Sequence, residues 1–357
     1  AEHVRIAGTA DGAFVSWLDY RGYDPATRQG RAVYMQYILG ANGSWPQGLG
    51  YNWQLNGIPV SANPGLDQEH PELARDWIWR TDAGLDIKAG AVVTYQNLVY
   101  RAGQPIWQVM ANNMDADGTR RYNGVDVALA VEDADQLKPR IVCSGAEQTA
   151  DQPRAIVTWQ DARENPAAPL FHIYAQIIDA NGAVQNPQGE PICDNPESQI
   201  NPVPALWERP YDPNTGDPYI PFVTIAWEDL RDEPLTATDV YAACIDARFV
   251  QLVNPGGNGG DPICQSYFDQ TEVAIEQLWG GSNAVIAWTT PESGGAMNNI
   301  DVHYQMVDVR NWQLDKPVNG WPVVEAKGEQ IRPEISNLVF VFQDHRRTAI
   351  SGDARTD

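Results

Sequence analysis

A chain of 357 residues with 43% apolar side chains, 13 Trp and 14 Tyr has material for a sizeable core, so extended disorder is excluded. Acidic residues number 47 against 24 basic ones, a formal net charge of -23, which argues against nucleic acid as a partner because phosphate binding needs a basic footprint. No apolar run reaches the roughly 18 residues of a membrane span, and 26 Pro with 30 Gly punctuate the chain as strand breakers.

In chain order, short β-branched segments recur in groups of four. The first unit carries His3-Val-Arg-Ile-Ala7, Ala13-Phe-Val-Ser-Trp17, Val33-Tyr-Met-Gln36 and Ile58-Pro-Val60. The second has Arg75-Asp-Trp-Ile-Trp79, Ala91-Val-Val-Thr-Tyr95, Ile106-Trp-Gln-Val109 and Val125-Asp-Val127. The third has Pro139-Arg-Ile-Val142, Ala155-Ile-Val-Thr-Trp159, Ile173-Tyr-Ala-Gln176 and Pro191-Ile-Cys193. In the fourth, Asn201-Pro-Val-Pro-Ala205 is weakened by its prolines, and Val223-Thr-Ile-Ala-Trp227, Val240-Tyr-Ala-Ala243 and Pro262-Ile-Cys264 follow. The fifth has Thr271-Glu-Val-Ala-Ile275, Ala284-Val-Ile-Ala-Trp288, Val302-His-Tyr-Gln305 and Trp321-Pro-Val-Val324. A sixth begins with Pro333-Glu-Ile-Ser336 and Leu338-Val-Phe-Val-Phe342, with Thr348-Ala-Ile-Ser351 as a candidate third strand.

Successive second-strand aromatics lie about 65 residues apart, which fits four strands with generous loops. Lengths of five to seven residues rich in Val and Ile favour strands, and turns such as Asp179-Ala-Asn-Gly182 connect them. The expected fold is therefore all-β: a β-propeller of four-stranded antiparallel blades, six in number with the last incomplete. The alternative is five blades with a leftover hairpin. One domain spans 1–357, with units near 3–62, 74–130, 139–194, 201–265, 271–325 and 332–352.

The units Trp159-Gln-Asp161-Ala-Arg163 with Ile173-Tyr-Ala-Gln176, and Trp227-Glu-Asp229-Leu-Arg231 with Val240-Tyr-Ala-Ala243, resemble repeats of secreted and surface-anchored bacterial proteins. The chain is also distantly similar to TolB and sialidase propellers. That resemblance implies the propeller architecture, an extracellular setting, and protein or glycan partners. The second unit departs from it at Tyr95-Gln-Asn97 and the fifth at Trp288-Thr-Thr290. An Asp-x-Arg pair is thus no catalytic requirement of every blade.

Candidate chemistry is sparse. The pairs Asp19/Arg21, Asp161/Arg163, Asp229/Arg231 and Asp344/Arg346 fall where a strand meets its turn. They read as turn-closing carboxylates with bridging arginines, or as a ring of carboxylates at one channel mouth. No cofactor is required; calcium is the one candidate, at Asp115 and Asp117 and at Asp212, Asn214 and Asp217, where oxygen ligands alternate along turns that also read as ordinary hairpin connectors. The five histidines lie far apart and suit packing or surface roles. Of Cys143, Cys193, Cys244 and Cys264, the last two fall on neighbouring strands and are the expected disulfide. No nucleophile elbow, phosphate loop or dinucleotide fingerprint occurs. The loops Asp19–Arg31 and Asn42–Gly57, rich in Tyr, Trp, Gly and Asn, suit protein or glycan contact.

The expected function is a non-catalytic secreted module of a cell-surface or extracellular assembly. The start at Ala1 without Met or an apolar leader fits removal of a signal peptide. The alternative is a carbohydrate-active enzyme or glycan-binding lectin that works at one face of the propeller.

Overall fold

A computed structural model describes residues 2–344 apart from 10, 28, 41, 48–51, 63–66, 81–85, 123, 145–154, 165–169, 194, 209–220, 233–236, 247–258, 279–280, 292–299, 316, 324–328 and 337–338. Its elements are all β-strands, and they pair antiparallel in sheets whose strand order follows the chain. The first sheet holds β1 (Glu2–Gly8), β2 (Gly12–Asp19), β3 (Ala32–Leu39) and β4 (Ile58–Pro59). The second holds β5 (Gln68–Arg80), β6 (Asp86–Arg101), β7 (Gln104–Asp115) and β8 (Val127–Ala128). The third holds β9 (Gln136–Cys143), β10 (Ala155–Asp161), β11 (His172–Ile178) and β12 (Glu190–Pro191). The fourth holds β13 (Gln199–Glu208), β14 (Pro221–Asp229), β15 (Asp239–Asp246) and β16 (Asp261–Cys264). The fifth holds β17 (Thr271–Gln277), β18 (Asn283–Pro291), β19 (Ile300–Asp308) and two short partners of β19, namely β20 (Gln313–Leu314) and β21 (Trp321–Pro322). Among the described residues, β22 (Gln330–Ser336) and β23 (Val339–Asp344) form a two-stranded sixth sheet.

The sheets stack face to face in sequence. First strands pack on first strands: β1 on β5, β5 on β9, β9 on β13, β13 on β17 and β17 on β22. This arrangement is propeller-like. Period-two side chains of the second and third strands fill the spaces between sheets. Phe14, Leu18, Val33 and Met35 meet Ala91, Val93 and Tyr95 between the first two sheets. Trp159, Tyr174 and Ile178 meet Val92, Val109 and Leu129 between the next two. Trp227 and Tyr241 close on Ile156, Ile173 and Ile177, and Trp288 closes on Ala226, Val240 and Ala242. Because Trp159, Trp227 and Trp288 are fully buried, truncating any one to Ala costs about 3–5 kcal/mol.

Two local expectations change. The first strand of the second sheet begins at Gln68, so Arg75–Trp79 belongs to a lengthened β5–β6 ribbon and Pro71 is the counterpart of Pro139. The prolines at 202 and 204 do not interrupt β13, since it is an edge strand of its sheet and Pro202 falls in a bulge.

The disulfide expected between Cys244 and Cys264 is corrected. None of the four cysteines is in a disulfide. Cys264 pairs with Val240 on β15, four residues from Cys244, or about 13 Å at the usual strand rise. Both thiols instead pack in the core between the fourth and fifth sheets, and burial raises each to a pKa of about 12.

Candidate functional site

One irregularity repeats in all six sheets. Two residues of each first strand oppose a single aromatic of the second, a bulge that breaks the ladder. The paired aromatics are skipped in turn: Trp17, Tyr95, Trp159, Trp227, Trp288 and Phe342. The first bulge residue is left-handed every time: His3 at φ 50°, His70 at 47°, Lys138 at 52°, Asn201 at 54°, Glu272 at 56° and Arg332 at 54°. None is glycine, so each position costs about 1 kcal/mol of backbone strain. Since the first strands stack on one another, the bulges form one row of six polar side chains of five kinds.

Side chains of neighbouring sheets hold the row in place. The residue after the aromatic accepts the bulge N–H of the following sheet: Lys138 N–H donates to Gln96 Oε1 at 2.8 Å, and Asn201 N–H to Gln160 Oε1 at 3.1 Å. Glu272 N–H donates to Glu228 Oε1 at 2.9 Å. Thr289 occupies that place in the fifth sheet, and there Glu272 itself accepts from Arg332 N–H at 2.7 Å. Asn201 Nδ2 donates to Glu228 Oε2 at 2.8 Å, and Lys138 Nζ to Asn201 Oδ1 at 2.8 Å. Burial raises the pKa of the Glu228 carboxyl, an effect opposed by the Asn201 and Glu272 donors.

One step along the strands, Arg5 Nη2 lies 2.8 Å from Glu72 Oε1, and Arg140 Nη1 pairs with the same oxygen. The rings of His3 and His70 are tilted with centroids 5.3 Å apart. Burial lowers His70 to a pKa of about 4, helped by the nearby His3, Lys138 and Arg140.

The Asp-x-Arg pairs lie at the ends of the second strands, where they form closed braces. Trp159 Nε1 donates to Asp161 Oδ2 at 2.8 Å, and Arg163 grips the same carboxylate through Nε at 3.0 Å and Nη2 at 2.6 Å. The guanidinium covers the Tyr174 ring at 3.9 Å and donates to Gln188 O. Gly189 follows at φ +73, against the Trp159 indole. Asp19, Arg21 and Tyr34 repeat this brace with Asn56 O, and Asp229, Arg231 and Tyr241 repeat it with Gly259 O. The hydrogen bonds from Arg21 hold Asp19 well below the usual carboxylate range. Asp344 ends β23, and Arg346 lies outside the described residues.

The other nominated residues stay apart from the row. Asp115 is paired with Arg121, and Asp117 Oδ1 accepts from Thr119 N–H at 2.8 Å. Asp212, Asn214 and Asp217 lie outside the described residues. Among the described residues no three His, Cys, Asp or Glu side chains are grouped to hold a metal. Of the loop aromatics, Trp53 is buried and donates to Ala116 O at 2.7 Å, while Tyr20 is exposed and donates to Glu2 Oε2 at 2.7 Å. Tyr100, near the end of β6, and Tyr267, in the bend before β17, are exposed at the same end of their sheets as the bulges. A cavity of about 300 Å³ lined by Asn283, Met306, Asp308 and Asp315 opens at the other end of the fifth sheet.

No family model matches the chain, and no curated protein does. Solved structures do. A putative TolB from Agrobacterium tumefaciens is 10% identical at TM-score 0.36, over 88% of this chain and 82% of its own. The GH43 endo-arabinanase from Bacillus licheniformis is 10% identical at TM-score 0.37, over 90% and 97%. The GH93 α-L-arabinofuranosidase of Fusarium graminearum is 10% identical at TM-score 0.41, over 76% and 69%. The expected non-catalytic module of a surface assembly is corrected here. Two of the similar structures named here are glycoside hydrolases, which is against that expectation. At these scores the likeness carries no chemistry, so any functional argument must come from the chain's own residues. Among the described residues no helix is long and apolar enough to cross a membrane.

Proposed function

We propose that this chain is a carbohydrate-active protein that engages glycan at the row of bulges, on the face where the second strands end. The observation that carries this is the row itself: six sheets each hold one polar side chain at a strained left-handed position, and no two neighbours except His3 and His70 are alike. Strain repeated at one register marks a place where side-chain direction matters beyond packing. His3, His70, Lys138, Asn201, Glu272 and Arg332 offer both donors and acceptors, as sugar hydroxyls require. Exposed Tyr20, Tyr100 and Tyr267 at that end supply flat amphipathic rings for the apolar face of a pyranose or furanose.

The reading includes a six-bladed ring with the sixth blade short, which would turn the row into the wall of an axial mouth. Its support is the position of Arg5 on β1, which lies in the field of Glu334 on β22. Glu228 acts as a holder of the row, because both of its oxygens accept from Asn201 and Glu272. The proposal places the protein outside the cell, where polysaccharide is met.

The test combines a glycan array with a screen for sugars released from polysaccharides, run on the intact chain and on Asn201→Ala. Binding or release that falls at least tenfold in the variant is expected. A chain that binds no sugar and releases none ends the reading.

A further inference from the structure

We propose that the glycan taken at this row carries an anionic group, a carboxylate or a sulfate ester, received by Arg5, Lys138 and Arg140. This rests on the carbohydrate reading above and names its substrate class.

The charge distribution runs against the rest of the chain. Acidic residues outnumber basic ones 47 to 24 overall, yet three of the basic residues converge where β1, β5 and β9 stack. One carboxylate serves two guanidiniums there: Arg5 and Arg140 share Glu72 Oε1, so Glu72 neutralises only one of them. Lys138 donates to Asn201, a neutral acceptor, and its charge is uncompensated by that contact. Glu334 acts on Arg5 through its field, without a hydrogen bond, and Glu69 is engaged by Arg31 on the first sheet. Glu228 also lies in the field of Lys138, so three cations stand with three carboxylates, a one-to-one balance in a chain where acids outnumber bases about two to one, and both Glu228 oxygens are already taken by Asn201 and Glu272. The low proton affinity of His70 comes first from burial and then from His3, Lys138 and Arg140, with Glu72 opposing.

The cations are also reachable. The side chains of Arg5 and Arg140 remain 36% and 42% exposed despite their shared partner. Among the described residues Arg140 bonds through Nη1 alone, leaving Nε and Nη2 as a planar fork. Such a fork matches two oxygens of a carboxylate or sulfate, and a nearby ammonium adds charge without directional demand. The neutral polar groups of Asn201 and the two imidazoles stand beside it for the sugar hydroxyls.

Calorimetric titration tests this with four probes on the intact chain: an oligogalacturonide, its carboxyl-reduced neutral counterpart, a sulfated galactan oligosaccharide and a neutral arabino-oligosaccharide. The expected result is at least tenfold tighter binding of one anionic probe than of the neutral pair, lost in 0.5 M salt at about the Debye length of a few ångströms. The two anionic arms separate carboxylate from sulfate. Lys138→Gln and Arg140→Gln, each checked for an unchanged melting curve, are expected to weaken the anionic probe about tenfold and leave the neutral ones within twofold. The carboxyl-reduced probe needs no variant, so misfolding cannot imitate the result. Neutral probes binding as tightly as anionic ones overturns the anionic inference and leaves the carbohydrate reading standing. Failure of all four overturns the anionic inference, and the wider array then decides the carbohydrate reading.

Discussion

The indole N–H of Trp159 meets Asp161 Oδ2 at 2.8 Å, while the equivalent indole of Trp288 is buried with no acceptor, because Thr290 stands where the brace has its aspartate. An unpaired buried N–H costs about 1–3 kcal/mol. Thr290→Asn offers an oxygen without a charge and is expected to stabilise the protein by about 1 kcal/mol in thermal unfolding. Thr290→Asp should do the reverse. In sequence Glu292 takes the position of the brace arginine, so that position supplies no guanidinium for a new buried charge.

Glu228→Gln removes a carboxylate that burial disfavours in its charged form. Gln96 and Gln160 already perform the same acceptor role for the neighbouring bulges. Since Glu228 has a raised folded pKa, its destabilisation appears as pH rises through that value. A glutamine keeps the acceptor for Glu272 N–H but turns an –NH2 on the Asn201 Nδ2 donor, a loss that does not change with pH. The melting temperature of the variant relative to the parent should therefore rise from pH 4 to pH 8.

His70 gives the opposite slope. Its folded pKa of about 4 lies below the ordinary 6.5, so between those values the unfolded chain takes up a proton that the folded chain refuses. Stability linked to His70 is complete above pH 6.5 and declines as pH falls toward 4. Melting temperatures of the parent and His70→Gln across that window should converge on acidification. A constant gap would contradict the assigned environment.

Gly189→Ala tests the brace from its far side. A Cβ there would approach Trp159 Cη2 to 2.7 Å from a backbone at φ +73, so both the contact and the conformation oppose it. A loss of about 2 kcal/mol or more in chemical denaturation is expected. The exposed Gly124, also left-handed but with nothing near its Cβ, serves as the control that isolates the backbone part.

The second strands were plain in the sequence because Trp-x-Asp-x-Arg repeats chemistry as well as spacing. The first strands were harder, for a physical reason. Their bulge inserts a residue and turns the alternation over, so Arg75–Trp79 looked like the opening strand while Gln68 was overlooked. A signal was available: Gln68-Glu-His-Pro71, Gln136-Leu-Lys-Pro139, Gln199-Ile-Asn-Pro202 and Gln330-Ile-Arg-Pro333 share one frame. Each of these glutamines is buried at the start of a first strand, and Gln68 and Gln136 accept from Val33 and Val109 N–H. The row itself is hidden in the sequence because its six members are of five residue types. Repetition exposes what is alike, and a recognition surface need not be.

The bulges also separate two design problems that most β-proteins must solve together. An inward-facing strand residue normally sets the volume between sheets, whereas the extra residue here stands outside that packing and answers to its neighbours in the row. Six sockets on one unchanging frame would let ligand preference be retuned one fitting at a time, with the scaffold left to keep its own shape.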